Sequence, residues 1–392
     1  MAKTRYRPWD PAHFPKLEGR AEALAGTFQA QEVAKTLWAY ATMGQTPGSG
    51  LMKELEWRAE ALAGTFEAQG VANTLWVYAT MGLEPGAGMM RELEGRAKAV
   101  AGTFNEQNVS NTLWAHATMG GAPGARVMME LEGRVEALAG TFNVQGVANT
   151  LCADAMMGRA PGTGVMRLLE GRAEAMAGEF TAQNVANKLW AYAEMGQKPE
   201  AVLMQLLEGR TEVLAGTFIA KGVTNTIWVY ATMGREPGAG LMRALEGRAE
   251  VLAGTFITQD VANTLWAYAT MGRESGAGLM RELEGRSEAV AGRFNPQNVA
   301  NTLWSYAMMG REPKAGLMRG LEGRAEAVAG TFNTQNVANT LWAYVMMGRE
   351  PRAGLMRGLE GREEAVEGTF NAQNVANTLW SYAAMGWETG WG

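Results

Sequence analysis

Residues 332–348 read FNTQNVANTLWAYVMMG, and 38 residues on, at 370–386, the chain reads FNAQNVANTLWSYAAMG. Thirty-eight residues earlier, at 294–310, it reads FNPQNVANTLWSYAMMG. Working outward, the same register places Trp38, Trp76, Trp114, Cys152, Trp190, Trp228, Trp266, Trp304, Trp342 and Trp380 at intervals of 38. A Phe precedes each landmark by ten residues, from Phe28 to Phe370, and a Gly follows by six, from Gly44 to Gly386. Ten units without insertion or deletion mean one structural module written ten times, so length alone is no guide to domain number.

Each unit carries two helical patterns. In one, Pro237 suits a first helical turn, where its missing N–H would be unpaired anyway. Leu241, Met242, Leu245, Ala249, Leu252 and Phe256 then form an apolar stripe, with Arg243, Glu246 and Glu250 expected to face water and Gly254 to end the helix. The second pattern starts with Asn333 as N-cap, buries Val337, Ala338, Leu341, Trp342 and Val345, and stops at Gly348. No segment alternates as a half-buried strand would. The expected architecture is all-α: an α-solenoid, a right-handed superhelix of ten 38-residue helix–turn–helix repeats. Residues 1–14 read as an N-terminal cap, 15–386 as the ten repeats and 387–392 as a C-terminal tail or cap.

Apolar residues make up 47% of the chain and its net charge is −5, with no block of like charges that would mark a nucleic-acid arm or acidic tail. The longest apolar run of the repeats, Leu341 to Met347, is too short to cross a bilayer. The opening MAKTRYRPWDPAHFPK is basic but proline-broken, a poor signal peptide and at most a weak or trimmed organelle-targeting sequence. One cysteine, Cys152, excludes an internal disulfide framework. His13 and His116 are isolated, so no metal site or cofactor is expected. Neither a phosphate loop, a nucleophile elbow nor a carboxylate pair stands out, and the chain does not read as an enzyme.

On the second helix, Asn336, Asn339, Thr340, Ala343 and Met347 are expected to share one face. It is neither charged, as a solvated face would be, nor large and apolar, as a core face would be. At the place of Asn339 the units carry Lys35, Asn73, Asn111, Asn149, Asn187, Asn225, Asn263, Asn301, Asn339 and Asn377, although Asn costs roughly half a kcal/mol against Ala in a helix. This supporting amide row reads either as a ladder fixing the stacking register or as contact with a flat polar ligand. The place of Asn336 varies: Glu32, Gly70, Asn108, Gly146, Asn184, Gly222, Asp260, Asn298, Asn336 and Asn374. Three residues before it stand Gln29, Glu67, Asn105, Asn143, Thr181, Ile219, Ile257, Asn295, Asn333 and Asn371. A loose capping box accounts for the polar pairs but not for Gly or Ile. A modular reader of base edges accounts for both, since an amide donates and accepts, a carboxylate only accepts and Gly leaves space. These two positions are the base-reading candidates.

The Ala-Asn-Thr-Leu-Trp-Ala core, seen in Ala72–Trp76 and Ala338–Ala343, resembles the octotricopeptide repeat family, tandem 38-residue helical pairs known from algal chloroplasts and mitochondria. The preceding Gln335, the closing Gly and the period match with it, over roughly residues 11–386. The linker is shorter than the family's, only Glu236 to Gly238, and the units are more alike than is usual there. The resemblance implies sequence-specific binding of single-stranded RNA, about one base per repeat, in organellar RNA stability, processing or translation, with no membrane or small-molecule partner. The alternatives are a solenoid scaffold for a protein or peptide and a designed or consensus array.

Every unit also carries Leu-Glu-Gly-Arg or its variant, for example Glu18 with Arg20 and Glu360 with Arg362. A ladder of ion pairs between units is the expected use, with phosphate contact by Arg20, Arg96 and Arg248 the alternative. Arg159, Arg235, Arg273, Arg311 and Arg349, just after the closing Gly, are second phosphate candidates, but a Glu follows four of them and solvated loop charge is the expected reading. The Trp reads as a core wedge, with a stacking role the alternative. The fourth unit, with Cys152 for Trp and Asp154 for Tyr, predicts a local packing defect and not a catalytic thiol.

Overall fold

A computed structural model describes residues 13–386, leaving Trp9 and the 387–392 tail, both assigned to caps, outside the described residues. Among the described residues there are twenty α-helices, paired in ten units of helix, 3-10 turn and helix, and no strand. Repeat nine is representative: a first helix Ala315–Val328, a 3-10 turn Ala329–Thr331 and a second helix Thr334–Met346. The fold is an all-α solenoid of repeats. The chain divides after Glu179 into two compact units, the first ending with the 3-10 turn of repeat five and the second beginning just before that repeat's second helix.

Most of the expected stripe residues are buried, while Leu252, Trp342 and Val345 are only half-buried. Leu241, Met242, Leu245, Ala249 and Phe256 are buried, as are Val337, Ala338 and Leu341. Each fully buried Leu or Phe contributes on the order of 1.5–3 kcal/mol. Asn333 caps as expected, its side chain accepting the backbone N–H of Asn336 at 2.8 Å. Gly348 closes the second helix at φ +64°, a left-handed conformation repeated at the same place from Gly44 to Gly386.

The first helix differs at both ends. It starts at Ala239 with Gly238 as N-cap, so Pro237 lies before the helix, buried in the linker. It stops at Leu252, and Gly254 sits inside the following 3-10 turn without a positive φ. Thr255 holds that turn, its Oγ1 donating to the carbonyl of Leu252 at 2.7 Å.

The Arg of the Glu–Arg segment is held by a backbone carbonyl of the preceding repeat and not by the expected ion-pair ladder. In repeats two to ten the Arg Nε donates to the carbonyl of the preceding repeat's Phe, from Arg58 on Phe28 to Arg362 on Phe332, at 2.5–2.8 Å. The Glu instead accepts the Tyr hydroxyl of its own second helix, as in Tyr268 to Glu246 at 3.1 Å and Tyr344 to Glu322 at 3.2 Å. Glu246 is therefore half-buried under Tyr268, not facing water. Burial beside a carboxylate raises the pKa of these phenols, keeping them protonated donors.

Within each of the two units, second helices of successive repeats pack against each other much more closely than first helices do. Small residues permit this approach: Ala338, Thr340 and Ala343 are fully buried between second helices.

Candidate nucleic-acid interface

That close packing sets which side of the second helix stays open. Asn336 and Thr340 are sealed, and so is Ala343; of the expected face only Asn339 and Met347 keep partial exposure. The open stripe runs one residue earlier, through Gln335, Asn339, Trp342 and Met346, at spacings of four, three and four. It recurs along the array. The Gln place is exposed in every repeat, from Gln31 to Gln373, with Lys221 the one departure. Lys35 is exposed, and the other amide-row residues, from Asn73 to Asn377, are half-exposed.

The indoles lie on this stripe, which corrects their assignment to the core. Trp38 and Trp380 are 48% and 47% exposed, and the remaining array indoles are intermediate. They approach one another along each row, with ring centroids 6.5 Å apart for Trp76–Trp114, 6.3 Å for Trp228–Trp266 and 6.4 Å for Trp304–Trp342. Interplanar angles of 34–36° leave the rings tilted, not stacked flat. The stripe is thus a neutral row of amides and indoles.

Most base-reading candidates at the variable position face inward, a correction to the expected outward reading. Asn108, Asn298, Asn336, Asn374 and Asp260 are buried, Asn184 is intermediate and Glu32 is exposed. Their polar atoms serve the helix start. Asn108 Oδ1 accepts from the N–H of Asn105 at 3.2 Å while Asn105 Oδ1 accepts from the N–H of Asn108 at 2.8 Å, a reciprocal capping box. Asn333 with Asn336 and Thr181 with Asn184 repeat it. Asn143, Asn295 and Asn371 cap Gly146, Asn298 and Asn374 at 2.8 Å. Ile257 cannot accept, and only the other half of the box remains, its N–H donating to Asp260 at 3.0 Å. The N-cap residues Asn105, Asn143, Thr181, Asn295, Asn333 and Asn371 are all exposed beside the open stripe.

The arginines after the closing Gly lie at the opposite end of the second helix, and several are already paired. Arg235 meets Glu208 at 3.2 Å and Arg349 meets Glu312 at 3.0 Å. Arg273 and Arg311 stand near enough to Tyr268 and Tyr306 to act on their charge. Arg159 bridges Glu132 and Asp154, the latter at 2.6 Å. Burial pushes the Asp154 carboxyl up to about 7 against the opposing pull of Arg159. In repeat three, His116 takes the Tyr place 4.0 Å from Glu94, and burial lowers its pKa. No metal-ligating cluster occurs among the described residues, and no described helix is long and apolar enough to cross a membrane.

Sequence reasoning missed the Gln place and misplaced the Trp, although Gln335, Asn339 and Trp342 already share a helical stripe in the sequence. No curated protein matches the chain. Among solved structures, the crystal structure of an engineered protein is similar at 8% identity over 90% of this chain and 95% of that one, with a TM-score of 0.21 from which nothing follows. A model described only as a protein of unknown function matches residues 63–75 and 368–379. The model of the RNA-editing substrate-binding complex 6 protein matches residues 134–349, which is more than half of the repeat array and of the whole chain. This chain, a helical-repeat array with a neutral amide–indole row on its second helices, belongs to the RNA-editing substrate-binding complex 6 protein family.

Proposed function

We propose that the protein binds single-stranded RNA along the open stripe of its second helices, about one base per repeat. The half-exposed indoles recurring beside amides carry this reading. Unpaired bases offer flat faces to aromatic rings and polar edges to amides, and this pairing of groups is how single-stranded RNA is commonly held. The family's printed name, an RNA-editing substrate-binding complex protein, supports RNA as the ligand class. Sequence preference then belongs to the exposed N-cap residues and the Gln and Asn of the stripe, with the buried capping partners shaping the site from beneath. The resemblance to octotricopeptide repeats supports an organellar role in RNA stability, processing or translation, which cell fractionation tests. The protein binds RNA without altering it, so RNA recovered after incubation should be intact.

Titration of single-stranded RNA, single-stranded DNA and duplex RNA, each at two salt concentrations, tests the binding. Preference for the single strands is expected, since a duplex hides base faces. Equal binding of duplex, or none of any, overturns the proposal. Met308 and Met346, 46% and 50% exposed at the end of the stripe, favour a second reading, a protein partner on the same face.

A further inference from the structure

Two clefts open in the second-helix rows. A cleft of about 670 Å3 opens between the second helices of repeats one and two, and one of about 570 Å3 between those of repeats five and six. Both fall in the size range of small-ligand sites, roughly 300–1,000 Å3. Each cleft is lined by a glycine at the variable position, Gly70 or Gly222.

Where that position carries a polar side chain, the side chain can reach the preceding repeat. Asn374 Nδ2 donates to Thr334 Oγ1 at 3.2 Å, and Thr224 Oγ1 donates to Asp260 Oδ1 at 3.1 Å, each bond crossing the seam between repeats. Gly70 and Gly222 have no atoms to cross it. The phenylalanine rings close in behind them: a Cβ at Gly70 would stand 2.9 Å from Cδ1 of Phe66, and one at Gly222 3.1 Å from Cδ1 of Phe218. Gly146 shares the residue type but is itself buried, whereas Gly70 and Gly222 are partly exposed.

The two cationic departures from the open stripe fall on these same clefts. Lys35 stands where nine repeats carry Asn, and lines the first cleft with Gln31, Trp38 and Asn73. Lys221 stands where nine repeats carry Gln, and lines the second with Gln183, Arg210 and Asn225. In the first cleft an indole, amides and a cation match the three parts of a nucleotide, base face, base edge and phosphate; in the second the ring is Phe218, which is almost fully buried.

We infer that each cleft receives one unstacked base of a bound single-stranded RNA, with Lys35 or Lys221 on the adjoining phosphate. This rests on the RNA-binding reading above. The glycine acts by absence, opening a pocket that Asn or Asp would close, and the reading at these repeats is by shape.

The test is an abasic scan of the full chain. A single abasic site is walked along a bound RNA oligonucleotide selected from a random pool, and affinity is read by fluorescence anisotropy. Two positions should lose about fivefold or more in affinity beyond the loss at the others, and a flat scan is one in which no two positions stand out. Gly70→Asn, the residue of repeats three and eight, should erase one of them and Gly222→Asn the other, with melting temperatures confirming that both variants fold. Lys35→Gln and Lys221→Gln, which leave the glycines untouched, should each make binding less salt-sensitive. Wild-type protein that binds RNA with a flat scan, or with a scan that both glycine variants leave unchanged, overturns the clefts alone. Wild-type protein that binds no single-stranded RNA overturns the RNA reading with them.

Discussion

Trp266 stands 6.3 Å from Trp228 and half-exposed, while Phe256 in the same repeat is fully buried. The two aromatic residues should therefore fail differently. Trp266→Ala is expected to weaken single-stranded RNA binding by about 1–3 kcal/mol, the worth of one stacked base, with a small change in unfolding midpoint. Phe256→Ala should cost about 3–5 kcal/mol of stability. Affinity and urea unfolding on both variants check this; unchanged affinity for Trp266→Ala would move the RNA elsewhere. Asp154 gives a second residue-scale prediction. Its folded pKa, raised to about 7, lies above the ordinary carboxylate value, so the folded state holds the proton more tightly than the unfolded one. Its contribution to stability is therefore fullest below about pH 4 and declines as pH rises toward 7. Asp154→Asn should remove that decline from the pH dependence of urea unfolding. Identical curves for the two proteins would mean that Arg159 keeps the carboxylate ionised throughout.

Among elements, the joint between repeats is the bond from the Arg Nε of a first helix to the carbonyl of the previous Phe. Arg286→Ala leaves the Phe256 carbonyl without the donor now 2.6 Å away and should cost about 1.5–3 kcal/mol, as charged hydrogen bonds do. Arg286→Lys should not restore it, because the bond uses the guanidinium Nε at a fixed reach. A wild-type unfolding midpoint for Arg286→Ala would show the joint to be unimportant. The second helices end on a different device. Gly272, at φ +61°, takes a conformation that costs other residues roughly 1–2 kcal/mol, so Gly272→Ala should lower the melting temperature while leaving RNA affinity unchanged. That stop was readable in the sequence, since a Gly at fixed distance after an apolar stripe has few other uses. The start of the first helix was not. Proline fits both N1 and an extended linker, and the structure uses it two residues early.

For the whole molecule, charge decides a measurable quantity. The chain carries −5 overall, and its open stripe is almost neutral. Each phosphate neutralised on a single strand contributes about −0.7 to the slope of log K against log salt. With Lys35 and Lys221 as the cations on the stripe, the slope should be shallower than about −2. A much steeper slope would point to the arginines after the closing Gly instead. By itself the sequence determined the period, the two helices, their buried stripes and the caps at Asn333 and Gly348, because these depend on spacing along one chain. Only the tertiary structure decided which side of the second helix is open. The stripes through Asn336 and through Gln335 lie one residue apart, about 100° around the helix. What chooses between them is the neighbouring repeat, which covers Asn336, Thr340 and Ala343 and leaves Gln335 and Trp342 at the surface.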